Sequence, residues 1–110
     1  WVVIDGTPVS TGTFTDENGA DEAAPFSGSN AGPAYPGEDF LVNAPTGLTF
    51  PTDLRSQTAV ISIEPSPDNS AAPFTLKPLA GMIPATLSGN PYSLGNNVDA
   101  SFPTGSITIQ

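Results

Sequence analysis

The chain has 110 residues, with eleven acids set against Arg55 and Lys77, a net charge of −9, no histidine and no cysteine. Its length fits one domain over residues 1–110, able to hold a core without staples. The missing residue types exclude disulfides, Ser-His-Asp and Cys-His catalysis, and histidine or thiolate metal sites. The acid excess repels phosphate backbones, which excludes nucleic acid as a partner, and reads as a device for solubility.

Thirteen prolines and eleven glycines are spread so evenly that no helix of ordinary length fits between them. The expected class is therefore all-β, as an immunoglobulin-like antiparallel β-sandwich with long Pro/Gly-rich loops. In chain order, strands are expected at 1–5, 12–15, 40–42, 48–50, 58–64, 74–79, 85–88, 98–102 and 106–110. The clearest alternation puts Val60, Ser62 and Glu64 on one face, with Ala59, Ile61 and Ile63 on the other. Residues 51–57 allow one helical turn capped by Thr52. Residues 23–36 and 88–97 read as loops. Trp1, Phe14, Phe40, Phe50, Phe74 and Phe102 are assigned to the core, and Tyr35 and Tyr92 to exposed loops.

Three patterns bear on function. Asp16, Glu17, Asn18, Asp21 and Glu22 gather hard oxygen donors around Gly19, which makes Asp16, Asn18, Asp21 and Glu22 a candidate calcium cluster. The spacing misses the EF-hand loop, so a solvated type I′ hairpin tip at Asn18-Gly19 is the preferred reading, with no metal and no cofactor expected. Eleven carboxylates keep glycosidase chemistry formally open, yet most stand beside turn residues, as in Asp5-Gly6 and Pro67-Asp68-Asn69. Ser66, Asp68, Asn69 and Ser70 lie in a segment bounded by Pro65 and Pro73, and form the candidate partner-binding loop.

Two segments carry a family resemblance. Trp1-Val2-Val3-Ile4-Asp5-Gly6, running on to Gly12-Thr13-Phe14, resembles the opening of the anti-sigma-K factor C-terminal domain. Val60-Ile61-Ser62-Ile63-Glu64-Pro65 is similar to that family's strand ending in Glu-Pro. The match covers about a third of the chain. Ser66-Pro67-Asp68-Asn69-Ser70 replaces the usual double glycine, and the long spacing from Phe14 to Glu64 points to an insertion at about 23–48. The resemblance implies a non-catalytic extracytoplasmic sensor or interaction domain of a membrane-anchored bacterial regulator, periplasmic or at the cell surface. Its implied partner is an envelope protein or protease, with sigma-factor binding residing in an N-terminal domain outside these residues. The alternative is a cell-surface or lipoprotein module that binds a ligand such as a glycan.

Overall fold

The computed structural model describes residues 1–68, 70–86, 89–100 and 102–108. Five strands form one antiparallel sheet: β1 (Val2–Ile4), β2 (Thr7–Val9), β3 (Thr58–Ile61), β4 (Leu79–Met82) and β5 (Gly95–Asn96), in the order β2-β1-β3-β4-β5. No helix occurs among the described residues, and none is long and apolar enough to cross a membrane.

The β1–β2 hairpin follows from local chemistry. Asp5 and Gly6 both take positive φ, 49° and 85°, as a two-residue type I′ turn requires. The Gln57 side chain seals this turn, accepting from the Asp5 amide at 3.0 Å and donating to Asp5 Oδ1 at 3.1 Å. Pro8 lies opposite Val3, between the turn-flanking pair Ile4–Thr7 and the pair Val2–Val9. In such a hairpin that middle pair exchanges no ladder hydrogen bonds, so β1 loses nothing by the missing proline donor.

On the far side of β1 the ladder to β3 runs through Val2–Ala59 and Val3–Thr58. It continues to Trp1, whose main-chain nitrogen donates to Val60 O at 3.0 Å and whose carbonyl accepts from Val60 N at 2.9 Å. Two residues fifty-nine positions apart are thereby locked in register.

One face of the sheet carries the core. Val2, Ile4 and Val9 pack with Phe40, all buried, and Phe26, Leu48, Phe50, Leu54 and Ile83 close around them. Phe26 stacks on Phe40 with centroids 5.8 Å apart, and Phe50 meets both edge-on at 5.6 and 5.5 Å. The stack is held by main chain, since Leu41 and Val42 both donate to Phe26 O, at 2.9 and 3.0 Å. Residues 23–48, expected as an insertion, thus supply the lid of this core.

The all-β, antiparallel expectation holds, but the described residues form a single open sheet covered by irregular chain. Residues 12–15 are not a strand: Thr13 O accepts from Glu22 N at 3.1 Å, outside any ladder. Residues 40–42 fail as a strand because Phe40 has a φ of 53°, which bends the chain at that point. Leu48 N donates to Pro45 O, closing a turn where 48–50 was expected to extend. The strand expected at 74–79 is displaced to Leu79–Met82, beyond Pro78, which has no amide to offer. Residues 85 and 86 are bent, and no strand forms within 98–100, at 102 or within 106–108; residues 87, 88, 101, 109 and 110 lie outside the described set. The turn near 54–57 is capped by Asp53, not Thr52: Asp53 Oδ1 accepts from Arg55 N at 2.9 Å. Phe14 and Phe74, expected in the core, are 38% and 42% exposed, whereas loop residue Phe26 is a core member. Tyr35 and Tyr92 are exposed as expected.

Beneath the lid, Ser27 is buried and donates its hydroxyl to Glu38 Oε2 at 3.3 Å, while Glu38 Oε1 is buried with no hydrogen-bond partner among the described residues. Burial raises the Glu38 pKa; the Ser27 hydroxyl and Phe26 amide oppose this, and the charges of Asp21 and Asp39 add to the rise. A carboxyl raised in the folded state stabilises best when protonated, and its contribution is lost as pH rises through the folded pKa. Glu38→Gln is therefore expected to flatten the loss of stability on going from mildly acidic to neutral pH and to raise the melting temperature at pH 7. Paired thermal melts across that range are the check, and a variant that melts lower at pH 7 would refute the assignment.

Candidate functional site

Past Trp1 the sheet opens into a cleft. Its walls are residues 10–15, which continue from β2, and residues 60–66, which continue from β3, with Trp1 at its inner end and Glu22 and Asp68 also lining it. The cleft encloses about 680 Å³.

Glu64 organises one wall. Its Oε1 accepts from the Trp1 indole Nε1 at 3.0 Å and from the Ser62 hydroxyl, and both its oxygens stand 3.2 Å from the Phe74 amide nitrogen. The expected alternation of Val60, Ser62 and Glu64 explains this meeting: all three share a face, and the pairing of Trp1 with Val60 brings the indole to the same side. Burial opposes the Glu64 charge, but the Ser62, Phe74 and Trp1 donors, with Lys77, outweigh it and hold the carboxyl below the usual range. A carboxylate so saturated is a clamp between β1, the end of β3 and the chain entering Phe74.

Asp21 organises the opposite wall. Its Oδ2 accepts from Gly37 N at 2.8 Å and its Oδ1 from Ala23 N at 3.0 Å. Gly12, with φ +96°, lies so close that a Cβ there would sit 2.5 Å from Asp21 Cγ. Glycine is thus required at position 12 both by conformation and by contact.

The four candidate calcium residues do not converge. Asp16 Oδ1 accepts from Asn18 N at 2.9 Å and from Asn18 Nδ2 at 3.1 Å, and these bonds lower the Asp16 pKa against a small burial penalty. Asp21 turns to Gly37, and Glu22 Oε2 accepts from Thr13 Oγ1 at 2.7 Å. Among the described residues no group of three or more His, Cys, Asp or Glu is set to hold a metal ion. Nor is Asn18-Gly19 a type I′ tip, since neither residue has the positive φ that turn needs. Millimolar calcium is expected to leave the melting temperature unchanged; a saturable rise abolished by Asp16→Asn with Asp21→Asn would contradict this geometry.

The candidate partner loop borders the cleft through Ser66 and Asp68. Asp68 Oδ1 accepts from Ser70 N at 2.9 Å, and Ser70 Oγ both donates to Ala72 O at 2.9 Å and accepts from Ala72 N at 3.1 Å. These local bonds shape the loop without burying it, and Ser66, Asp68 and Ser70 remain exposed. Asn69 lies outside the described residues.

Arg55 forms an ion pair with Asp53, whose hydrogen bonds to Arg55 lower the Asp53 pKa to about 2, and the charge of Lys77 favours ionised Glu64. The clamp role of Glu64 and the wall formed by Thr13, Phe14 and Glu22 were not foreseen from sequence. The Glu-Pro dipeptide ending a β-branched run marked Glu64, but nothing local to it named Trp1 as its partner.

No family model matches the chain, and no curated protein or solved structure matches it.

Proposed function

We propose that this chain is a non-catalytic interaction domain, the extracytoplasmic sensor portion of an anti-sigma-factor-like membrane regulator that contacts an envelope protein or protease. The observation that carries the reading is the clamp: the two segments that resemble the anti-sigma-K C-terminal domain, one opening at Trp1 and one ending at Glu64-Pro65, are adjacent in the sheet and joined by the Trp1–Glu64 hydrogen bond at 3.0 Å. A motif whose acid accepts from three separate donors favours a structural use of that acid over proton transfer, for which a free lone pair and a raised pKa are the usual signs. The exposed residues 66–68 and 70–72 beside the cleft give such a domain a recognition surface on a fixed frame.

Replacing residues 66–72 with a Gly-Ser linker tests the reading. Loss of a specific envelope partner at unchanged melting temperature supports it, and turnover of ester, glycoside or peptide substrates that depends on Glu64 or Asp68 defeats it. The coding sequence around the chain separates the regulator from the surface module: a helical domain and one apolar span upstream favours the first, a lipobox cysteine the second.

A further inference from the structure

The turn over residues 16–19 leaves a reactive pair uncovered. Asparagine is among the thermolabile side chains, because the main-chain nitrogen of the next residue can attack its carboxamide carbon. A side chain on that next residue obstructs the attack, and glycine has none. Asn18 is the one asparagine in the chain followed by glycine. It is exposed, and among the described residues its carboxamide bonds only within the same turn, to Asp16 Oδ1 at 3.1 Å. The Gly19 nitrogen has only a long contact there, 3.5 Å from Asp16 O, and a Cβ at Gly19 would meet nothing within 4 Å. Elsewhere the fold withholds the reaction. Asn43 has a φ of 57°, donates to Pro25 O at 2.7 Å and precedes Ala44. Asn97 donates to Lys77 O at 2.9 Å and precedes Val98. Asn90 precedes Pro91, whose nitrogen has no proton to lose.

We propose that Asn18-Gly19 is a self-modifying site. The Gly19 nitrogen gives up its proton and bonds to Asn18 Cγ; the Cγ–Nδ2 bond breaks, and ammonia carries the proton away. The five-membered imide then takes up one water. Water that breaks the new N–Cγ bond leaves an ordinary aspartate at position 18. Water that breaks the original peptide bond leaves isoaspartate, which routes the main chain through Cγ and lengthens it by one carbon. Either product places a second negative charge beside Asp16, where the Nδ2 donor stood. The longer product also meets fixed ends. Thr13 O accepts from Glu22 N at 3.1 Å and Thr13 Oγ1 donates to Glu22 Oε2 at 2.7 Å, while Asp21 is tied to Ala23 and Gly37. A carbon added inside this closure is absorbed by opening the Thr13–Glu22 pair. The site thus gives the chain a slow, one-way change of charge and loop shape, independent of the interaction-domain reading.

The 110-residue chain, held at neutral pH and 37 °C, is sampled over days. Peptide masses and digestion with an endoprotease that cuts at aspartate but not at isoaspartate locate and distinguish the products. Asn18 is expected to lose its amide at least tenfold faster than Asn43 and Asn97 in the same sample, giving both products. Its rate should lie within tenfold of that in the free peptide Asp-Glu-Asn-Gly-Ala. Gly19→Ala, whose methyl meets open space, should slow the loss at least tenfold at an unchanged melting temperature. In the separated isoaspartyl form the Glu22 amide should exchange with solvent at least fivefold faster, with the Leu41 amide unchanged. Protection of Asn18 beyond tenfold relative to the peptide, an equal rate at Asn43 or Asn97, or no slowing in Gly19→Ala would overturn the site. An unaltered Glu22 exchange rate in the isoaspartyl form would overturn the loop consequence.

Discussion

Phe40→Ala is expected to cost about 3–5 kcal/mol, the range for removing a buried phenylalanine ring. Phe40 is the one aromatic side chain among the five buried hydrophobic residues described, and it contacts both of the other rings in its cluster. Its loss leaves Phe26 and Phe50 facing a void over Val2, Ile4 and Val9. Small domains hold only about 5–15 kcal/mol in all, so the variant should be largely unfolded at 37 °C or nearly so. Urea titration followed by tryptophan fluorescence is the measurement. Phe14→Ala and Phe74→Ala serve as controls, since both rings are partly exposed, and each should lose about 1–2 kcal/mol or less. Equal losses at all three positions would remove the distinction between lid core and surface.

The second large effect is expected at Glu64. Glu64→Ala strips the acceptor from the Trp1 indole, the Ser62 hydroxyl and the Phe74 amide together. Hydrogen bonds to a charged group contribute about 1.5–3 kcal/mol each, but the site is partly open to water, so the net loss is about 2–3 kcal/mol. Glu64→Gln keeps one acceptor oxygen and loses the charge, and should fall near half that. The pH dependence has a definite sign. A carboxyl held below its unfolded value contributes stability that is present above that value and lost as pH falls through the folded pKa. Acid should therefore destabilise the native chain more than Glu64→Gln. Glu38 works in the opposite sense at higher pH, so the two amide variants separate the two limbs of the stability profile.

Some of this architecture was readable before folding and some was not, for physical reasons. The strand Val2–Ile4 and the run from Thr58 announce themselves as β-branched strings bounded by turn residues. Alternation along Val60, Ser62 and Glu64 correctly placed these three together. Thr7–Val9 is not among the expected strands; it forms one because Pro8 falls at an edge position that need donate nothing to β1. Gly95–Asn96 is an edge strand of two residues with no apolar pattern, held by its pairing with Leu79 and Ala80. The sandwich expectation rests on many short apolar runs between turn residues, those at 40–42 and 48–50 among them. Those two runs do supply core side chains, but their main chain bonds to Phe26 and Pro45 outside any strand ladder. Burial and strand pairing are separable, and periodicity reports only the first. The cleft was legible only in part: the loop at 66–70 was marked by its prolines, whereas the wall at 10–15 depends on Asp21 reaching Gly37 and pressing on Gly12.

The clamp between Trp1 and Glu64 is the joint on which the sheet, the cleft and the proposed role all depend, and the single tryptophan of the chain makes it directly observable. The indole N–H resonance in a ¹H–¹⁵N correlation spectrum, followed by pH titration, reports on that bond alone. The geometry predicts a shifted, exchange-protected indole signal that moves with one titration below the ordinary glutamate range and loses that movement in Glu64→Gln. A signal at the position of a free, solvent-exposed indole, unmoved by acid until the chain unfolds, would contradict the clamp.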